Sequence, residues 1–167
     1  MPRTAPKPQE LALSEPATRA LRRFRIVFNS VRGHFRQVER SAGIAGAQLW
    51  ALSIVRDHPG IGVGRLAQAM DIHQSTASNL LRPLVEQGLV VADRAPSDRR
   101  AVHLQVTQAG ARLLRKAPGP FAGVLPQALM QLDARTLARL ERDLEAVIQV
   151  LGADEKAARM PLGRPGR

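Results

Sequence analysis

The chain has 167 residues, 44% of them hydrophobic, which suits one domain or a compact unit with an oligomerisation element and argues against wholesale disorder. Lys and Arg number 25 against 14 acidic residues, a formal charge of +11, which favours a polyanionic partner over neutral ones, although a merely basic protein would share it. With no cysteine, no tyrosine, one tryptophan and four phenylalanines, disulfides, thiolate chemistry and cysteine zinc sites are excluded, and a stacking platform for single strands is poorly supplied.

Residues 1–16 are polar and proline-containing and read as a flexible tail; they hold no apolar core of a secretory signal. No segment reaches the length of a membrane span, so a cytoplasmic protein with no membrane partner is expected. The first helix is expected over residues 17–43. Leu21, Phe24, Phe28, Val31, Phe35 and Val38 recur there at alternating steps of three and four, the spacing of a packing seam that one helix cannot bury alone.

The next segment, GAQLWALSIVRDHPG, predicts a helix with Leu49, Leu52, Ile54 and Val55 apolar, stopped by Pro59-Gly60. A short helix follows, then a break near Asp71 and a second helix closing at Gly88. In that second helix Ala77, Leu80, Leu81 and Leu84 share one face, and Gln74, Ser75, Thr76, Ser78, Asn79 and Arg82 belong to its polar part. Acidic residues are absent until Glu86. Such a face fits a DNA major groove, where Gln and Asn pair with adenine edges and Arg with guanine or phosphate. An ordinary solvated face is the plainer reading. The tandem of short helices, the small Ala67 at their crossing and the basic neighbours favour the groove.

Behind Gly88, LVVADR and RRAVHLQVT flank the turn APSD and predict a β-hairpin. A hairpin directly after two such helices reads as a wing, with Asp98, Arg99 and Arg100 at its tip and Arg94 on its first strand. An arginine there suits the narrow minor groove, with Asp98 orienting it through a charge-assisted hydrogen bond. A solvated turn with incidental charges is the alternative.

The remaining chain predicts a helical region over 111–152 and a flexible basic tail over 153–167. Asp133 is a candidate N-cap, and Leu137, Leu140, Leu144, Val147 and Leu151 repeat the seam spacing. The two seams could satisfy each other inside a monomer; their narrowness and length favour a dimer interface. His34, His58, His73 and His103 lack metal-ligand spacing, and no Walker, dinucleotide or nucleophile-elbow pattern occurs. No enzyme activity, cofactor or metal site is expected.

Taken in order, the Leu66-Ala67 helix, the Ser75-Thr76-Ala77-Ser78 helix start, the Glu86-Gln87-Gly88-Leu89-Val90 exit, the Asp98-Arg99-Arg100 wing and Val106-Thr107 with Gly110 resemble the DNA-binding core of MarR-family bacterial transcriptional regulators. The resemblance covers about residues 20–150. It implies a mainly α fold with a small hairpin wing: a winged helix-turn-helix over 44–110, flanked by dimerisation helices over 17–43 and 111–152. It further implies a homodimer on a pseudo-palindromic operator, often a repressor, released by a small and often aromatic anion. By the same resemblance Trp50 and His34 are candidates for the effector cleft. A non-specific or architectural DNA-binding protein without effector is the alternative function, and a protein-interaction module a third.

Four prolines depart from the pattern. Pro83 lies inside the second short helix and should kink it. Pro118 and Pro120 predict a break, and Pro126 a kink, where the family runs a long helix.

Overall fold

The computed structural model describes residues 14–95 and 98–162, with only the backbone for 94, 95, 98–101, 155 and 156. Helix α1 spans Glu15–Ala42, α2 Gly46–Asp57, α3 Val63–Ala69 and α4 Gln74–Glu86. Strands β1 (Val90–Ala95) and β2 (Asp98–Val106) form an antiparallel pair, and α5 (Gln108–Lys116), α6 (Val124–Met130) and α7 (Ala134–Leu151) follow, with a 3₁₀ turn at Glu155–Arg159. The fold is a winged helix-turn-helix between long flanking helices, as expected.

Helix α1 starts two residues earlier than expected because Pro16 sits in its first turn, where a missing N–H costs nothing. It ends at Gly43, whose φ of +70° suits glycine. The core gathers where α2, α3 and α4 meet the hairpin. Leu49, Leu52, Val55, Leu66 and Leu84 have no accessible surface, and Ala67, Ala77, Leu80 and Leu81 are buried beside them. Each large aliphatic buried this way contributes about 2 kcal/mol from surface removed from water. Gln48, itself buried, turns its Oε1 back to accept the Ala45 N–H at 3.0 Å, so the α2 start carries no unpaired amide there.

The prolines act differently from expectation in one respect. Helix α5 ends before Pro118, and no helix resumes until Val124, which is the expected break. Pro126, however, does not kink a helix. It occupies the first turn of α6, where no intrahelical acceptor precedes its nitrogen. Helix α4 runs through Pro83 as one element to Glu86. A proline there sacrifices only the bond to the Asn79 carbonyl, three residues from the helix end, while Leu80, Leu81 and Leu84 remain buried on either side.

The flanking seams stay largely uncovered within one chain. In α1 only His34 and Val38 are buried, Leu21, Phe24, Val31 and Phe35 are half-buried, and Phe28 is 61% exposed. Helix α7 has no buried residue: Leu137 and Leu140 are half-buried, Leu144 and Val147 exposed, and Leu151 is 71% exposed. The two seams therefore do not bury each other inside a monomer.

Candidate nucleic-acid interface

The candidate recognition surface is built from α3 and α4. Between them the chain reverses at Asp71, the one non-glycine with positive φ (+51°) among the described residues, and the Ile72 N–H donates to the Ala67 carbonyl at 2.9 Å. Asp tolerates that conformation better than branched residues. Ala67, expected at the crossing of the two helices, is buried in α3.

Helix α4 begins at Gln74 behind His73, one residue before the expected Ser75. Its apolar residues Ala77, Leu80, Leu81 and Leu84 face the core, and Gln74, Ser75, Ser78, Asn79 and Arg82 are exposed, with Thr76 half-buried. Two of the polar groups are already engaged within the helix. The Ser78 hydroxyl donates to the Gln74 carbonyl at 3.0 Å, and Arg82 Nη2 donates to Asn79 Oδ1 at 3.4 Å. The second is long enough to yield to a better partner, so the amide and guanidinium form a loosely paired donor–acceptor set.

The hairpin is held to this unit from behind. His103 Nδ1 lies 3.0 Å from the Gly60 carbonyl, so that nitrogen carries the proton. The Gly60 N–H donates to the Leu104 carbonyl at 2.8 Å and the Leu104 N–H to the Ile61 carbonyl at 3.1 Å. The α2–α3 loop thus adds a single bridge to the edge of β2. Sequence reasoning missed this anchor, because the partners are 43 residues apart and only an edge-strand histidine hints at it.

Register in the hairpin runs from Val90↔Val106 to Arg94↔Val102 and then shifts to Ala95↔Asp98. Strand β2 therefore carries Arg99, Arg100 and Ala101 as extra residues between two paired positions. The Asp98-Arg99-Arg100 trio belongs to the bulged end of β2 rather than to the turn itself, because pairing resumes at Asp98. The side chains of Arg94, Asp98, Arg99 and Arg100 lie outside the described residues.

An apolar cavity of about 170 Å³ opens beside the α3–α4 turn. Trp50, Val31, Phe35, Met70 and Ile72 line it. Of the two effector candidates only Trp50 reaches it; His34 is buried against the Phe35 ring, with centroids 5.7 Å apart, and is not part of the lining. Neighbouring Arg56 is paired with Asp57 at 2.7 Å and stands 5.4 Å from the Phe121 ring centre, which ties the α5–α6 loop to α2. That hydrogen bond holds the Asp57 carboxyl below its usual range.

A model of the MarR family matches residues 42–101, the stretch from the end of α1 through α4 and into the wing. The putative transcriptional regulatory protein for the hcr operon of Thauera aromatica is 31% identical over 105 residues. Over this stretch the chain is similar to MarR-family regulators. Its match to the Thauera protein takes in 63% of this chain and spans 58% of that protein's length. Among solved structures, a MepR-like protein complexed with pseudoligands is 16% identical with a TM-score of 0.57, and the match covers 84% of this chain and 100% of that one. FabT of Streptococcus pneumoniae, in complex with DNA, is 18% identical with a TM-score of 0.52, covering 81% and 96% respectively. At those identities the likeness is one of fold. Among the described residues, no helix of the chain is long and apolar enough to cross a membrane.

Proposed function

We propose that this chain is a dimeric, sequence-specific transcriptional regulator that binds a pseudo-palindromic operator in cytoplasmic duplex DNA. It acts as a repressor that a small effector releases, and not as an enzyme. The observation that carries the reading is the division of α4. Its apolar side closes the core while Gln74, Ser75, Ser78, Asn79 and Arg82 stand exposed, short groups able to read base edges and phosphates. The formal charge of +11 supplies the sequence-independent attraction to the backbone.

Dimerisation follows from the uncovered seams. Leaving Phe28, Leu144, Val147 and Leu151 in water is unfavourable, and a two-fold partner would cover all of them at once. Two copies of α4 would then address two half-sites of the operator. The wing arginines Arg94, Arg99 and Arg100 join the contact from the adjacent minor groove, with Asp98 as their brace, and Thr76 joins the polar residues of α4. In this reading Trp50, which lines the cavity, senses the effector.

Selection of bound sequences from random duplexes at two salt concentrations tests this. A palindromic consensus supports the regulator. Recovery without consensus and with a steep salt dependence replaces it with a non-specific architectural protein. No recovery at either salt removes DNA from the account and leaves a protein-interaction module.

A further inference from the structure

The chain beyond α7 does not behave as the free basic tail expected over 153–167. Gly152, with φ of +59°, turns the backbone off the helix. A tight turn follows, in which the Ala157 N–H donates to the Asp154 carbonyl at 2.9 Å and the Met160 N–H to the Ala157 carbonyl at 3.1 Å. The segment then meets the DNA-binding unit. Ala158, Met160, Pro161 and Leu162 line the same cavity as Trp50 and Phe35. Arg159, from the same turn, lines a different groove with Arg65, Gln68, His73 and Gln74, at the start of α4. Residues 163–167 lie outside the described residues.

One short segment therefore touches both the cavity and the beginning of the recognition helix. Its seat is shallow, since Met160 and Leu162 keep about half their surface in water, at 48% and 53%. Among the described residues, none of the segment belongs to the buried core, so it can lift without unfolding the domain.

We propose that residues 154–162 form a strap that closes the Trp50 cavity from outside and, through Arg159, couples its opening to the DNA face of α4. Closed, the strap shields Trp50 and holds a guanidinium beside Arg65 at the α4 start. Open, it exposes the indole and withdraws one cation from the surface that faces phosphate. The coupling half rests on the DNA-binding reading; the closure half does not.

With a single tryptophan and no cysteine, the chain allows a direct test. In Leu162→Cys carrying a nitroxide, Trp50 emission is expected to be strongly quenched relative to the same variant with a diamagnetic label. In the full chain with Met160→Asp and Leu162→Asp, acrylamide quenching of Trp50 should rise roughly twofold as the strap lifts. Unquenched emission in the labelled variant overturns the closure, as does wild-type acrylamide quenching in a folded aspartate variant. Should the aspartate variant not fold, the label alone decides. Arg159→Gln should leave Trp50 quenching unchanged and reduce the salt slope of duplex binding by about one. An unchanged slope, on a duplex that the wild type binds, overturns the coupling. If the wild type binds no duplex at all, the DNA reading and the coupling fall together, while the Trp50 measurements still decide the closure.

Discussion

The Thr107 hydroxyl donates to the Gly88 carbonyl at 2.7 Å and accepts the Gly110 N–H at 3.1 Å. One side chain thus joins the exit of α4, the end of the wing and the start of α5. The Thr107 N–H adds a bond to the Leu89 carbonyl at 3.0 Å. A Cβ on Gly110 would collide with that same carbonyl and come within 2.9 Å of Val106 Cγ1. The wing's base is therefore a packed knot rather than a hinge, and its orientation follows that of α4.

Breaking the knot should cost stability in graded steps. Thr107→Ala loses a helix cap and the bond to Gly88 and is expected to destabilise the fold by about 1–2 kcal/mol, with Thr107→Ser close to wild type. Gly110→Ala meets backbone and should cost about 1–3 kcal/mol. Urea unfolding of the three variants checks the order, and a stable Gly110→Ala chain would contradict the close approach of α5 to Leu89.

On the proposed DNA face, Asn79→Ala and Ser78→Ala are expected to change which bases are preferred, each costing about 1–3 kcal/mol of discrimination at the affected position. Arg100→Ala should weaken operator binding strongly. Titrations against the selected consensus and its single-base variants separate the effects. Full operator affinity in Arg100→Ala at moderate salt would remove the wing from the interface.

Helix α7 offers a test that leaves the core alone, because Leu144 and Val147 are exposed in the single chain. Placing Glu at either position would bury a carboxylate between copies and should raise the dimer dissociation constant by about a hundredfold or more. Sedimentation at micromolar concentration reads this directly. Unaltered assembly in the doubly substituted chain would mean that the seam lies elsewhere.

Asp133 caps α7, its Oδ1 accepting the Thr136 N–H at 2.9 Å and its Oδ2 the Thr136 hydroxyl at 2.8 Å. These bonds favour the ionised form, the backbone one foremost, and lower its pKa. A carboxyl with a lowered folded pKa stabilises fully above its unfolded value of about 4, and the contribution fades as pH falls through the folded value. Thermal unfolding from pH 6 down to pH 2 should show this acid loss in the wild type (both limits roughly bracket the Asp range). Asp133→Asn should show less of it, and equal acid sensitivity would contradict a stabilising cap.

What could be read along the chain were the features set by near neighbours. The three-and-four spacing of Leu137 through Leu151, the apolar side Ala77-Leu80-Leu81-Leu84, and the cap Asp133 depend on residues within a turn or two. Hence the helices, the wing and the polar face of α4 were all expected from sequence, and the MarR resemblance with them.

Tertiary structure alone decided the rest. Whether Pro126 kinks a helix or begins one depends on where α5 gives way, and the His103–Gly60 bond joins residues with no local relation. The return of Met160, Pro161 and Leu162 to the Trp50 cavity is of the same kind. Such contacts form only once the α2–α4 core has brought distant segments together, so no periodicity in the intervening sequence records them.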